Sequence, residues 1–129
     1  MTAQHVQRTP AQQREASAFR ELARQLSGAL KEGRETQTLE RAQTIKTLAD
    51  YSPLNQLLIL KQHPAVTEVH GYVQWRELGY FVRPGEHGIR IIVPLAGSVE
   101  DGQAPTRFRI RFLFDRSQVE PLAQQEQQR

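Results

Sequence analysis

The apolar residues between Pro10 and about Leu30 recur every three or four positions, which predicts an amphipathic helix. They are Phe19, Leu22, Ala23, Leu26 and Leu30. The opposite side of this helix carries arginine and glutamate in mixed order, which is typical of a solvated surface. Gly33 follows the last apolar position and fits the end of the helix.

Two further helices follow. Thr38 can cap a second helix that runs to about Asp50. Ser52 and Pro53 fit the N-cap and the first turn of a third helix, which ends near Gln62. Leucine and isoleucine fill most of this third helix, so we expect it to be the most buried of the three.

The apolar pattern changes from the helix period to the strand period after residue 64. Val66 and Val69 predict a short strand, and a short helix or turn is expected from Tyr72 to Gly79. The segments 81–82 and 89–93 are predicted to pair as a hairpin, because Pro84 and Gly85 between them suit the central positions of a type II turn.

The last clear element is a strand, because residues 107 to 114 alternate between two kinds of side chain. One face carries Phe108, Ile110, Phe112 and Phe114, and the other carries Arg107, Arg109, Arg111 and Leu113. Alternate residues on a strand lie roughly 6.6 to 6.8 Å apart, close to the spacing of phosphates along an extended single strand. The arginine row predicts either a track for a nucleic-acid backbone or the solvated side of a half-buried strand.

These elements predict an α+β domain, in which N-terminal helices pack on one side of a small antiparallel sheet. The length of 129 residues fits one domain, which we place at residues 10 to 119. The N-terminal residues 1 to 9 and the glutamine-rich tail 120 to 129 are expected to be disordered.

Composition narrows the classes of function. The chain has 17 basic and 14 acidic residues, a net charge of +3, which favours an anionic partner only if the charge is concentrated on one face. No cysteine is present, so a disulfide or thiolate metal site is excluded. No segment has the roughly 20 consecutive apolar residues that a membrane span needs, and no signal peptide is recognisable. We therefore expect a cytoplasmic location and no membrane partner.

Other candidate binding residues are aromatic or polar. Tyr51, Tyr72 and Trp75 can stack on unpaired bases, although a single tryptophan in a small domain is also a common core anchor. Ser52 and Asn55 lie at a predicted helix N-terminus, where they can help to bind a phosphate or simply cap the helix.

Catalysis has little support in this sequence. The four histidines are scattered, and none has the spacing with glutamate that a zinc-binding helix needs. No nucleophile motif or phosphate-binding glycine loop is present. We expect a protein that is not an enzyme, with no cofactor, no metal and no small-molecule substrate.

Four short motifs occur in an order that resembles the N-terminal domain of ArdC-type antirestriction proteins. They are Tyr51-Ser52-Pro53-Leu54-Asn55, Gly71-Tyr72-Val73-Gln74-Trp75 with Leu78-Gly79, Val82-Arg83-Pro84-Gly85-Glu86-His87-Gly88, and Phe114-Asp115-Arg116-Ser117-Gln118. Pro84 and His87 stand where the family usually has lysine. Many relatives continue into a zinc-protease-like domain with a His-Glu-x-x-His helix, which this chain lacks before Arg129.

The resemblance implies non-specific binding of single-stranded DNA, in the transfer, protection, replication or repair of DNA in a bacterium or its mobile elements. In this hypothesis phosphates are held in one basic groove by Arg83, Arg90, Arg107, Arg109 and Arg111. Bases stack on Tyr51 and Tyr72, and also on Trp75 unless it is a core anchor, while Ser52 and Asn55 hold the DNA backbone. The alternative is a protein-interaction module, an adaptor or nuclease inhibitor with no DNA contact, which works with a separately encoded partner.

Overall fold

The structure, a computed structural model, describes residues 9–97, 105 and 107–123. Its helices are α1 (Pro10–Lys31), α2 (Thr36–Gln43), α3 (Pro53–Gln62) and α4 (Tyr72–Glu77). Its strands are β1 (Val69–Gly71), β2 (Tyr80–Val82), β3 (Ile89–Pro94), β4 (Phe108–Asp115) and β5 (Val119–Pro121), and 3₁₀ turns span Leu48–Asp50 and Arg116–Gln118. The predicted α+β class is confirmed.

Helices α1 and α3 begin where the sequence predicts. The Thr9 hydroxyl accepts a hydrogen bond from the Gln12 backbone, and Pro10 opens α1. The Ser52 hydroxyl accepts from the Asn55 backbone N–H at 3.2 Å, with Pro53 in the first turn of α3. In both cases one polar side chain replaces a bond that the first helical turn cannot make.

Helix α2 is shorter than predicted and starts earlier. It runs from Thr36 to Gln43, and the Thr38 hydroxyl donates to the Glu35 carboxylate at 2.7 Å instead of capping the helix. The chain then turns at Thr47, whose φ of 75° is left-handed and incompatible with a continuing helix. The predicted long second helix is therefore a short helix followed by a 3₁₀ turn.

Strand pairing differs from the predicted hairpin. Strand β3 pairs with β4, and β2 pairs with β5, so β2 and β3 lie in different sheets. The turn between them is nevertheless the predicted one, since Gly85 has a φ of 86° and the Glu86 N–H donates to the Arg83 carbonyl at 3.3 Å. The local turn was predictable, but the hairpin prediction is wrong.

The edge of β3 that β2 would need is occupied by helix α3. The Asn55 carboxamide accepts from the Ile92 N–H and donates to the Ile92 carbonyl, both at 2.9 Å. The Gln62 carboxamide does the same for Arg90, at 3.0 and 2.7 Å. Two side chains therefore satisfy this strand edge as a neighbouring strand would, and β2 pairs elsewhere.

Helices cover both faces of the three-stranded sheet β1-β4-β3, rather than one side only as expected. Ile91 and Ile92 are consecutive in β3 and point to opposite faces. Ile91 packs in a buried cluster with Leu48 and Leu113, and Ile92 packs in another with Phe19. Helix α3 contributes residues to both clusters, which is why all of its residues from Asn55 to Leu60 are buried, as predicted.

Each face of β4 carries residues that differ in how far they are buried. We call the side with Arg109, Arg111 and Leu113 the arginine face, and the side with Phe108, Ile110, Phe112 and Phe114 the phenylalanine face. On the arginine face Leu113 is fully buried. On the phenylalanine face Phe112 is 50% exposed, so alternation predicted the facing of these residues correctly but not their burial.

Hydrogen bonds of Asp115 connect the end of β4 to two loops. Its 1% exposed carboxylate accepts from the Thr67 N–H at 2.8 Å, the Ser117 N–H at 2.9 Å and the Ser117 hydroxyl at 2.6 Å. The Gln118 side chain in turn accepts from the Asp115 N–H at 2.8 Å and donates to the His87 carbonyl. The Phe-Asp-x-Ser-Gln motif thus forms a network of hydrogen bonds around the buried side chains of Asp115 and Gln118.

The ordered chain continues past the predicted boundary at residue 119. Strand β5 reaches Pro121, and the Leu122 N–H donates to the Gly79 carbonyl at 2.9 Å. The predicted disorder of residues 1–8 and 124–129 lies outside the described residues.

Replacing Asn55 with alanine leaves both the N–H and the carbonyl of Ile92 without a partner, in a place that is buried. We expect Asn55→Ala to lower the free energy of unfolding by about 2 to 4 kcal/mol. Urea unfolding measures the change, with Gln37→Ala, an exposed amide in α2, as the control. Equal stability of the two variants would contradict the edge-capping role of Asn55.

The Asp115 carboxyl should make the free energy of unfolding depend on pH in the acidic range. Burial raises its pKa, but the hydrogen bonds from Ser117, Thr67 and Glu68 outweigh burial and hold the pKa below the ordinary value of 3.8. Because the folded pKa is the lower one, this stability is present above pH 3.8 and is lost as the pH falls through the folded pKa.

We therefore expect Asp115→Asn to be less stable at pH 7 by about 1 to 3 kcal/mol and to lose less stability on acidification than the parent protein. Urea unfolding at several pH values between neutral and strongly acidic tests this expectation. Asp50→Asn, at an exposed aspartate, is the control. An unchanged pH dependence in Asp115→Asn would show that other carboxyls cause the acid sensitivity.

Candidate nucleic-acid interface

Arg109 and Arg111 are exposed on the arginine face of β4. Their Cα partners in β3 are Val93 and Ile91, so they stand two residues apart on one straight ladder. No carboxylate of the described residues forms an ion pair with either guanidinium. Arg107 continues the row, is exposed, and accepts a hydrogen bond at its carbonyl from the Leu95 N–H at 3.1 Å.

Tyr51 is close to Arg111, and the Arg111 guanidinium reaches Gly71, the residue before Tyr72. The Nη2 atom of Arg111 is 3.8 Å from the point where a Cβ at Gly71 would stand, so the guanidinium folds across β1 toward the start of α4. Tyr72 is the first residue of α4 and is 52% exposed. Tyr51 is half-buried against the core cluster on the arginine face. The structure therefore places Tyr51 near Arg111, and it places Tyr72 directly after the glycine that the Arg111 guanidinium approaches.

The Tyr51 hydroxyl is affected by both burial and charge. Burial raises the pKa of the phenol above its ordinary value of 10.0, while the positive charge of Arg111 lowers it and the Asp50 carboxylate raises it, with a net increase. Tyr51 is therefore protonated at neutral pH and can donate a hydrogen bond to an anion beside Arg111.

Arg83 lies away from this row. Its guanidinium donates to the Glu86 carboxylate at 2.8 Å and to the Ser117 carbonyl at 2.6 Å. Ser117 follows the C-terminal end of β4, whereas Arg107 precedes its N-terminal end. The hydrogen bond from Arg83 also lowers the pKa of Glu86, so the pair remains ionised and neutralises itself.

Arg90 is also outside the row. In the β3–β4 ladder it is opposite Phe112, which places it on the phenylalanine face. Its guanidinium is 3.2 Å from the Glu15 carboxylate of α1 and 6.0 Å from the centroid of the Phe112 ring. The predicted single basic groove is therefore not assembled, because Arg83, Arg90 and the arginine row occupy three separate places.

Trp75 is fully buried and belongs to the core. Its indole N–H donates to the Phe114 carbonyl at 2.8 Å, and its ring makes edge contacts with His70 and Tyr80. The core alternative for Trp75 is the one that its burial supports, and the ring has no free face for a base.

Ser52 and Asn55 serve the fold. The Ser52 hydroxyl caps α3, and the Asn55 carboxamide is bonded on both sides to Ile92. Asn55 is only 9% exposed. These contacts account for both residues without a bound phosphate, as the capping alternative expects for Ser52.

Phe112 is a surface aromatic residue that the sequence pattern does not predict. Its ring rests on Gly88, where an added Cβ would be 2.8 Å from the Phe112 side chain, and half of the residue remains exposed. Periodicity places Phe112 on the same face as the buried neighbours of α1, and only the tertiary structure shows that α1 does not cover it. No local sequence signal distinguishes it from the other phenylalanines of β4.

No group of three or more histidine, aspartate or glutamate side chains in residues 9–97, 105 and 107–123 is arranged to hold a metal ion. No helix in the same residues is long and apolar enough to cross a membrane.

Comparison with known proteins identifies the family. The family described as the N-terminal domain of anti-restriction factor ArdC matches residues 16–128, which is almost the whole chain, and the chain belongs to this family. The suspected resemblance is confirmed, and the family links the chain to antirestriction. No curated protein and no solved structure has significant similarity to the chain.

Trp75 is the only tryptophan, so its fluorescence reports its burial directly. We expect acrylamide to quench the emission of the folded protein far less than that of the urea-unfolded protein. We also expect little change in emission when single-stranded DNA is added, because the ring is covered by His70 and Tyr80. Strong quenching in the folded state would contradict the core position.

Proposed function

We propose that this antirestriction-related domain binds single-stranded DNA with little sequence preference. The observation that carries the proposal is that Arg109 and Arg111 lie on one exposed strand face and form no ion pair with any described carboxylate, while Tyr51 is close to Arg111. Arg83 and Arg90 each face a glutamate, whereas no described carboxylate offsets these two arginines.

The spacing of the arginines supports an extended ligand. Arg109 and Arg111 are separated by about 6.6 to 6.8 Å along β4, a distance that suits successive phosphates of a stretched single strand. Arg107 lies at the next position of the row and is exposed. Backbone contacts of this kind carry no base information, which supports binding that tolerates different sequences.

The tyrosines supply the preference for unpaired bases. Tyr72 exposes about half of its surface at the start of α4, and Tyr51 lies on the same side as Arg111. A base that stacks on such a ring contributes roughly 1 to 3 kcal/mol, and a base inside a duplex cannot reach it. In this proposal phosphates contact the arginines while bases turn toward the tyrosines.

The proposed setting follows from the same hypothesis. The domain would act on DNA during transfer, protection, replication or repair, in the cytoplasm of a bacterium or in the service of a mobile element. We propose no catalytic role, and an assay for metal-dependent cleavage of labelled DNA tests that part of the proposal. Appearance of shorter fragments that a purified Arg109→Ala/Arg111→Ala variant does not produce would reveal an enzyme.

Fluorescence anisotropy with labelled oligonucleotides tests the binding directly. We expect Arg109→Ala/Arg111→Ala to bind mixed-sequence single strands about tenfold or more weakly at low salt. We also expect the slope of log K against log salt to become shallower by about 1.4, since each lost phosphate contact removes about 0.7. Tyr72→Ala should weaken binding about tenfold through lost stacking.

The matched control is Arg24→Ala/Arg34→Ala, which removes the same charge from two exposed arginines elsewhere. This control should bind nearly as well as the parent protein. Duplex DNA of the same sequence should bind more weakly than the single strand. If the two double variants lose affinity equally, the arginine row is not the site, and if the parent protein does not bind single strands at low salt, the proposed function fails.

A further inference from the structure

Among the described residues, no strand lies beside one side of β4 over most of its length. Strand β1 pairs only with Leu113, Phe114 and Asp115, because the chain leaves the sheet at Gly71 and enters α4. Strand β3 pairs on the other side from Ile89 to Pro94, which reaches Phe108. We call the unpaired side of residues 108–112 the open edge.

The hydrogen bonds of β3 fix which backbone groups point to the open edge. Arg90 and Ile92 turn their N–H and carbonyl groups to α3, so the alternate residues of β3 must bond to β4. Arg109 and Arg111 therefore bond inward to β3, while the N–H and carbonyl of Ile110 point outward. The Arg116 N–H, which donates to the Glu68 carbonyl on the β1 side, confirms this alternation.

The outward groups of Ile110 lack partners in the part of the chain that the structure describes. An open edge of this kind can accept a further strand through main-chain hydrogen bonds. A second copy of β4 is a poor occupant, since two such edges would bring Arg109 and Arg111 of both copies together on one face. Like charges directly opposite each other destabilise strand pairs.

The arginines select a strand of the opposite charge. A residue that pairs across from Arg109 or Arg111 has its side chain on the arginine face, where a carboxylate meets a guanidinium that forms no ion pair with any described carboxylate. The residue between these two lies across from Ile110 and points to the phenylalanine face beside the half-exposed Phe112. An extended segment with alternating acidic and apolar residues fits both faces.

We propose that the open edge of β4 binds an extended acidic peptide segment of a partner protein, which adds to the sheet as a strand. This goes beyond DNA binding but uses the same two arginines, so peptide and DNA compete. Arginines at a strand edge can also serve only to prevent aggregation, and that is the outcome that a failed test would support.

The probe is a five-residue peptide with valine at the first, third and fifth positions and glutamate at the second and fourth, capped at both ends. When the peptide pairs antiparallel to β4 with its central valine across from Ile110, the valine N–H groups bond to β4 and the glutamate N–H groups point away. N-methylation of the valines should therefore weaken binding about tenfold or more, and N-methylation of the glutamates should change it little. The two methylated peptides have the same charge, so equal binding would reduce the interaction to electrostatics and overturn the proposal.

Hydrogen exchange gives a second readout. The Ile110 amide should exchange rapidly in the free protein and slow markedly with the valine-glutamate peptide, while the Arg109 and Arg111 amides should be slow throughout because they bond to β3. Single-stranded DNA, which contacts side chains, should leave the Ile110 amide fast. An Ile110 amide that stays fast with saturating peptide would overturn strand addition.

Charge reversal completes the test. Arg109→Glu/Arg111→Glu should no longer bind the glutamate peptide and should bind the same peptide with lysine in place of glutamate. Circular dichroism shows whether the variant is folded. Arg24→Glu/Arg34→Glu, the control, should keep the original preference. If the parent protein binds DNA but no peptide, this inference fails and the proposed function stands; if it binds peptide but no DNA, the proposed function fails and this inference stands.

Discussion

The fold depends on how the outer edge of β3 is satisfied. Asn55 and Gln62 are seven residues apart, two turns of helix α3, and each presents a carboxamide to one residue of the strand. These four hydrogen bonds hold α3 along the sheet, so that its apolar residues enter the clusters on both faces. They also exclude β2 from the three-stranded sheet and leave it to pair with β5.

The same contacts determine the surface that we connect with function. Because Arg90 and Ile92 bond to α3, the alternation of an antiparallel ladder decides the direction of every backbone group in β4. Arg109 and Arg111 are thereby anchored to β3 while their side chains remain exposed, and Ile110 faces the open edge. The functional strand is thus positioned by a helix on the far side of its neighbour.

Ion pairing of individual basic residues determines where positive charge is available on this protein more than the net charge does. The net charge of +3 is small, and Arg83, Arg90 and Lys61 each face a glutamate. Arg109 and Arg111 differ from these residues, because neither has a carboxylate partner among the described residues. Because screening by salt is strong at such exposed sites, their contribution to binding depends on ionic strength.

The sequence by itself determined the features that need only nearby residues. The caps of α1 and α3, the turn at Pro84-Gly85, the two faces of β4 and the family all follow from local patterns. Tertiary structure decided the partners of β2 and β3, the exposure of Phe112, the burial of Trp75 and the separation of Arg83 and Arg90 from the arginine row. The reason is that a cap or a turn is a contact within a few residues, whereas strand pairing and burial are settled by competition among elements that are distant in the chain.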